Sequence, residues 1–237
     1  FLISEGVVED IVLKAEVSRE DFVIEIGPGL GTLTAKLAEC AKKVIAVELD
    51  DNMIPVLNER FALYDNVEII HNDILKTDIE ALIKGEEHVK IVANLPYYIT
   101  TPIVMKLLEE KLNIESITVM VQKEAAERLC AEVGSRESGA ITVAVNYYAE
   151  PEILFEVDRF SFMPPPKVDS SVIKLNVRKE PPIKLNNEKA FFALVKAAFA
   201  QRRKTLVNTV SNTTGINKDD LRQALEELGL SPTVRSE

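Results

Sequence analysis

The sequence predicts an α/β protein: a doubly wound, Rossmann-like domain followed by a small all-helical domain. Three observations carry that reading. Over about the first 160 residues, short β-branched apolar runs alternate with segments of helical spacing. A turn holding Gly27, Gly29 and Gly31 joins the first of these runs to the helical segment after it. Beyond Glu180-Pro181-Pro182 the strand pattern stops and helical spacing continues alone.

Residues 22–26, 44–48, 67–70, 89–93 and 117–121 are rich in valine and isoleucine, too short for helices, and read as strands. Residues 33–41, 53–63, 103–112 and 123–132 have helical spacing and read as helices between and after them. Alternation of this kind gives a mostly parallel sheet covered on both faces. Residues 153–155 and 172–175 read as late strands that close the sheet. Between them, Phe162-Met163-Pro164-Pro165-Pro166 excludes regular structure, because proline fixes φ and lacks an N–H. Residues 188–212 and 218–228 read as helices of the second domain, with Asn217 at a helix entry and Gly229 at its stop. The expected domains are 1–180 and 181–237.

Composition narrows the function classes. A chain of 237 residues, 46% hydrophobic and 28% charged, can bury a core without disulfides. Cys40 and Cys130 are far apart and lack a CxxC or Cys/His cluster, which argues against a disulfide scaffold or zinc site and suits a reducing cytoplasm. Both read as buried apolar residues at helical positions. No apolar run approaches the roughly 18–20 residues of a membrane span, and no signal-peptide pattern opens the chain. The net charge of −10 argues against a general nucleic-acid binder. It is unevenly spread: residues 1–157 carry 14 basic and 29 acidic groups, 158–210 carry 11 and 4, and 211–237 carry 3 and 5. The middle block is a candidate interaction surface.

The glycine turn is the first candidate site. Glycines at alternate positions allow a tight turn and close approach of a ligand, and the helix after them starts with unpaired N–H groups. A dinucleotide fingerprint would place its third glycine at position 32, which is Thr32, and no Gly-Lys-Ser/Thr phosphate loop is present. Glu48, at the end of the next strand, can accept hydrogen bonds from ribose hydroxyls, and Asp73 after the third can accept one from an exocyclic amine. The fourth strand runs into Asn94-Leu95-Pro96-Tyr97-Tyr98. There an amide carbonyl, a proline-stiffened backbone and an aromatic ring can clamp a planar base bearing an amino group.

These motifs carry a resemblance. Glu25-Ile26-Gly27-Pro28-Gly29-Leu30-Gly31 resembles motif I of S-adenosylmethionine-dependent methyltransferases, and Asn94-Leu95-Pro96-Tyr97 resembles motif IV of those acting on exocyclic amines. Together with Phe162-Met163-Pro164-Pro165-Pro166-Lys167-Val168-Asp169-Ser170 and the basic stretch Phe199-Ala200-Gln201-Arg202-Arg203-Lys204-Thr205-Leu206, they are similar to the ribosomal RNA adenine dimethylase family. The nearest branch is the bacterial small-subunit one, which dimethylates N6 of two adjacent adenosines near the 3′ end of 16S ribosomal RNA. The resemblance implies a class I methyltransferase domain, S-adenosylmethionine as cofactor and 16S rRNA in the small subunit or its precursor as partner. It further implies a cytoplasmic monomer that needs neither metal nor membrane.

By resemblance, Asn94, Leu95, Pro96, Tyr97 and Phe162 form the catalytic set, with Tyr97 and Phe162 on opposite faces of the target base. Leu2, Gly27, Gly29, Gly31, Glu48, Leu49, Asp73, Ile74 and Asn94 hold the cofactor. Arg202, Arg203 and Lys204 on a basic helix, joined by Lys167, Lys174, Arg178, Lys179 and Lys196, contact RNA phosphates. Val207 stands where many members carry another basic residue, a change expected to weaken RNA contact slightly. Members usually carry Gln-Asn or Gln-His before Phe1-Leu2 and a further helix after Glu237, so both ends read as truncations of the pattern. Three other readings stay open: the large-subunit dimethylases of macrolide resistance, a ribosome-assembly or transcription factor without transfer activity, and a nicotinamide-dependent dehydrogenase.

Overall fold

A computed structural model describes residues 1–201 and 203–236. The elements are α1 (Glu5–Lys14), β1 (Phe22–Ile26), α2 (Thr32–Cys40), β2 (Lys43–Glu48), α3 (Met53–Arg60), β3 (Val67–His71), α4 (Ile79–Leu82), β4 (Val89–Asn94), α5 (Thr100–Glu109), β5 (Ser116–Gln122) and α6 (Lys123–Leu129). There follow α7 (Ala140–Tyr148), β6 (Ala149–Val157), a 3-10 turn (Arg159–Ser161), β7 (Ser170–Val177), α8 (Glu188–Ala198), α9 (Leu206–Thr214) and α10 (Lys218–Glu227). The β-branched runs form the strands as expected. The sequence reading had singled out neither α1, capped by Ser4, nor α7, whose Ala140-Ile141-Thr142-Val143 start carries β-branched residues that favour strands.

The seven strands lie in the order β3-β2-β1-β4-β5-β7-β6. β1 to β5 pair in parallel, while β7 runs antiparallel between β5 and β6. Central strands need apolar residues on both faces, and all five residues of β1 are buried, Val23 and Ile24 completely. Edge strand β3 buries none of its residues fully. α1 and α2 pack their Val8, Ile11, Leu33 and Leu37 into one cluster with Val23, Val44 and Val92 from the sheet.

Contacts divide the chain into two compact units, residues 1–127 with 148–179, and residues 128–147 with 180–237. This differs from the expected split at 180, because the segment 128–147 groups with the C-terminal helices. The physical reason is aromatic: Tyr147 meets Phe192 edge-on with ring centroids 5.3 Å apart, and lies 6.4 Å from Phe191. Ala197, Val207, Val210 and Leu225 supply buried side chains of this second unit. Residues 188–212, read as one helical stretch, are two helices, with a turn between α8 and α9 that Thr205 ends by capping α9. Among the described residues no helix is long and apolar enough to cross a membrane. Cys40 and Cys130 are half-buried rather than buried, and Cys130 lies just past the end of α6.

Candidate active site

Parallel strands end together, so the loops after β1, β2 and β4 meet at one edge of the sheet. Gly27, Gly29 and Gly31 have φ of +66°, +56° and +78°, a region that other residues enter only with strain. The Gly27 N–H donates to the Val47 carbonyl and the Gly31 N–H to the Pro28 carbonyl, both at 2.9 Å. The glycines are not equivalent. A Cβ on Gly27 would meet nothing within 4 Å, while one on Gly31 would lie 2.6 Å from the Phe61 ring. Gly31 is therefore a packing position, Gly27 faces open space, and a Cβ on Gly29 would lie 3.3 Å from the Phe1 ring at the cavity wall.

A cavity of about 380 Å³ opens there, lined by Gly27, Gly29, Glu48, Asp50, Met53, Asn94, Leu95, Pro96, Tyr97 and Phe162, with Phe1, Pro164 and Pro166. A smaller pocket of about 60 Å³ shares Phe1, Gly27, Gly29 and Asn94 with it and reaches Leu2, Glu25 and Thr32. The five residues expected to be catalytic thus line one cavity. β4 delivers Asn94 beside Met120 of β5, and the Leu95 N–H donates to the Met120 carbonyl at 3.2 Å. The Asn94 side chain makes no hydrogen bond among the described residues, so its carbonyl is available to a donor. The Tyr97 hydroxyl and Ser170 Oγ are 2.8 Å apart, which fixes the ring. Phe162 is held by a bridge to Leu2.

Glu48 is positioned by the backbone. Its Oε2 accepts from the Gly29 N–H at 3.1 Å, and its Oε1 accepts from the Leu49 and Asp50 N–H groups at 2.8 and 2.9 Å. Three donors leave one of roughly four lone-pair sites for a ligand hydroxyl. Glu25 is nearly fully buried in β1, and its Oε2 has no partner among the described residues. Burial pushes its carboxyl up to about 8, and the Glu48 charge adds to the rise. The Thr34 hydroxyl opposes the rise, but Thr34 Oγ1 lacks hydrogen-bond geometry and also stands unpartnered.

Other expected site residues fall elsewhere. Leu49 is 61% exposed and Ile74 is buried, and neither is among the residues lining the cavity or the small pocket. Asp73 is also absent from both linings; its Oδ1 accepts from the Leu75 N–H at 2.9 Å and closes a turn. Arg203 and Lys204 are exposed, but on the turn between α8 and α9 rather than on a helix, and Arg202 lies outside the described residues. Lys167 is exposed in the proline-rich loop, and Lys179 and Lys196 are exposed as well. Lys174 cannot contact RNA, because it is 7% exposed within β7 and bonds Glu16. Arg178 is tied to Glu150 at 2.7 Å. Val207 is buried, so its apolar character serves packing and weakens no RNA surface.

Phe1, Asp50 and Met53 line the cavity although the sequence had not singled them out. A signal existed only for Asp50, a second acid two residues beyond Glu48 at the same strand end. The gap at Gly27, a fixed acid beside it and a buried carboxyl with an orphaned oxygen, which a nearby positive charge would help to ionise, suit a cofactor with a ribose and a cationic group. Among the described residues no group of three His, Cys, Asp or Glu is placed to hold a metal.

Sheet order, reversed β7 and site at the strand ends define a class I S-adenosylmethionine-dependent methyltransferase. The particular family follows from comparison. The ribosomal RNA adenine dimethylase family profile matches residues 1–229, and the chain belongs to that family. A ribosomal RNA small subunit methyltransferase A from Clostridium botulinum is 48% identical over 237 residues, covering 100% of this chain and 86% of the relative. A dimethyladenosine transferase from Plasmodium falciparum has a similar structure, with TM-score 0.82, 30% identity, and coverage of 100% of this chain and 91% of that one. The 23S rRNA methyltransferase ErmE gives TM-score 0.74 and 26% identity, covering 100% and 93%.

Proposed function

We propose that this enzyme transfers methyl groups from S-adenosylmethionine to N6 of two adjacent adenosines near the 3′ end of 16S ribosomal RNA during small-subunit biogenesis in the cytoplasm. One observation carries the reading: Asn94, Leu95, Pro96 and Tyr97 line the same cavity as Gly27, Gly29 and Glu48. Gly27 and Gly29 give the cofactor room against the backbone, and Glu48 takes a ribose hydroxyl. When bound, the cofactor supplies a methyl group made electrophilic by its sulfonium.

The adenine amino nitrogen is a poor nucleophile while its lone pair is delocalised into the ring. Asn94 Oδ1 and the Leu95 carbonyl accept hydrogen bonds from the amine, favour its pyramidal form and stabilise the positive charge that grows on it. Tyr97, fixed through Ser170, and Phe162 hold the ring from its two faces. As the N–C bond forms and the C–S bond breaks, the surplus amine proton leaves to water. No residue of the Asn94–Tyr97 turn is a general base, so positioning does most of the work. Lys167, Arg203 and Lys204, with Arg202, contact phosphates and place the RNA without reading its sequence. The unit of residues 128–147 with 180–237 is the rRNA-contacting part.

The test incubates the protein with S-adenosylmethionine and unmethylated small-subunit particles and reads the digested RNA by mass spectrometry. Dimethyladenosine at two adjacent positions is expected; none, or product in large-subunit RNA instead, overturns the reading. Asn94→Ala is expected to keep cofactor affinity within about twofold and lose about 100- to 1000-fold in turnover. Undiminished turnover would remove the role given to Asn94.

A further inference from the structure

The 3-10 turn that leads into Phe162 presents an aromatic ring outward. Phe160 is 69% exposed, and among the described residues its ring contact is Arg159, whose guanidinium lies 5.1 Å from the ring centroid. The display is built into the backbone. The Phe160 N–H donates to Asp158 Oδ1 at 2.8 Å, the Arg159 N–H to Asp169 Oδ1 at 3.1 Å, and the Ile3 N–H to the Ser161 carbonyl at 2.9 Å. Both acids are occupied with main chain, and no ion pair holds the Arg159 guanidinium among the described residues. Phe160 is two residues from Phe162, which lines the cavity, so the two Cα atoms are at most about 7 Å apart along the chain.

We propose that Phe160 and Arg159 form a second nucleotide subsite, which holds the nucleotide next to the adenosine in the cavity. The inference rests on the function proposed above. A base drawn into the cavity leaves its covalently attached neighbour without a stacking partner. A fixed, exposed phenyl face replaces that stack, and the adjacent guanidinium meets the phosphate of the same nucleotide. Since two adjacent adenosines are modified, the base on Phe160 is the second substrate waiting beside the first.

Steady-state methylation of small-subunit particles tests this with Phe160→Ala, Phe160→Leu and Phe160→Trp. The alanine and leucine variants are expected to raise the particle KM by about 5- to 100-fold, with cofactor affinity and unfolding midpoint unchanged and the tryptophan variant close to wild type. Arg159→Gln is expected to lower the slope of log KM against log salt by about 0.7, one phosphate contact on a single strand. A leucine variant equal to wild type, or a tryptophan variant as weak as alanine, overturns the stacking role. An unchanged salt slope overturns the phosphate contact. Wild-type protein that makes no dimethyladenosine fails the underlying function instead, so the two failures are distinct.

Discussion

At the edge where the parallel strands begin, Lys90 Nζ meets Asp21 Oδ2 at 3.0 Å, Lys43 meets Glu68 at 2.6 Å, Lys42 meets Glu86 at 2.7 Å and His88 meets Glu115 at 2.7 Å. At the edge where they end, Glu25 Oε2 and the Asn94 amide have no partner among the described residues, and three glycines hold positive φ. The first edge is satisfied in its charged groups, although buried Ser116 Oγ at the start of β5 has no partner among the described residues, and the second leaves a carboxyl and an amide open to the cavity. Cavity size does not separate them: a groove of about 650 Å³ lies at the satisfied edge, lined by Asp78, Lys84, Glu86, Glu110 and Lys111, yet Glu86 and Glu110 already hold lysines. Unspent hydrogen-bonding capacity, rather than volume, marks where this fold receives a ligand.

The largest expected effect breaks the satisfied edge. Asp21 is buried and its Oδ2 accepts from both the Ser18 N–H and Lys90, itself largely buried. Asp21→Ala removes that ammonium's carboxylate and leaves it the Glu16 carbonyl at 2.6 Å, and is expected to lower stability by about 3–5 kcal/mol, read from urea unfolding, while cofactor affinity of the folded protein stays within about twofold. Loss of cofactor affinity at unchanged stability would erase the contrast between the edges.

A smaller effect separates two glycines within the open edge. Gly31→Ala meets Phe61 and a left-handed φ together, with an expected loss of about 2–4 kcal/mol in unfolding free energy. Gly27→Ala has the φ penalty alone, about 1–2 kcal/mol, but places a methyl in the cavity and is expected to weaken cofactor binding more than its stability loss implies. Equal stability losses would mean that Phe61 yields and that Gly31 is no packing position.

The open edge was the more legible in the sequence. Gly27, Gly29, Glu48 and the Asn94–Tyr97 turn are local signals, because a strand end, a tight turn and a proline are each written in a few adjacent residues. Phe1 and Met53 reach the cavity through contacts distant in sequence, such as the Leu2 bridge to Phe162 across the whole catalytic unit. The ion pairs of the satisfied edge are equally long-range: Lys90 and Asp21 are 69 residues apart. Asp73 is a less selective signal. An acid at a strand end also makes turns, and here its side chain closes its own. The basic stretch at Arg203-Lys204 read as helix because apolar spacing continues on both sides, while Thr205 capping α9 interrupts it.

The pH dependence has a sign that tests the contrast directly. The unfolded Glu25 carboxyl titrates near 4.5, and in the folded chain burial, reinforced by Glu48, raises it to about 8. Between those values the folded protein holds a proton that the unfolded chain releases, so stability falls as pH rises across that window, by about 1.4 kcal/mol per pH unit at most. Glu25→Gln keeps the shape and cannot ionise. Its stability relative to wild type is expected to rise steadily from about pH 5.5 to about pH 7.5, measured as urea midpoints. His88, whose pKa its bond to Glu115 raises, is common to both proteins and drops out of the difference. Bound cation at the open edge offers that carboxylate the partner it lacks. The pH dependence is therefore expected to flatten in wild type, not in Glu25→Gln, when S-adenosylmethionine saturates the protein. Parallel curves for the two proteins without ligand would mean that Glu25 carries no extra proton.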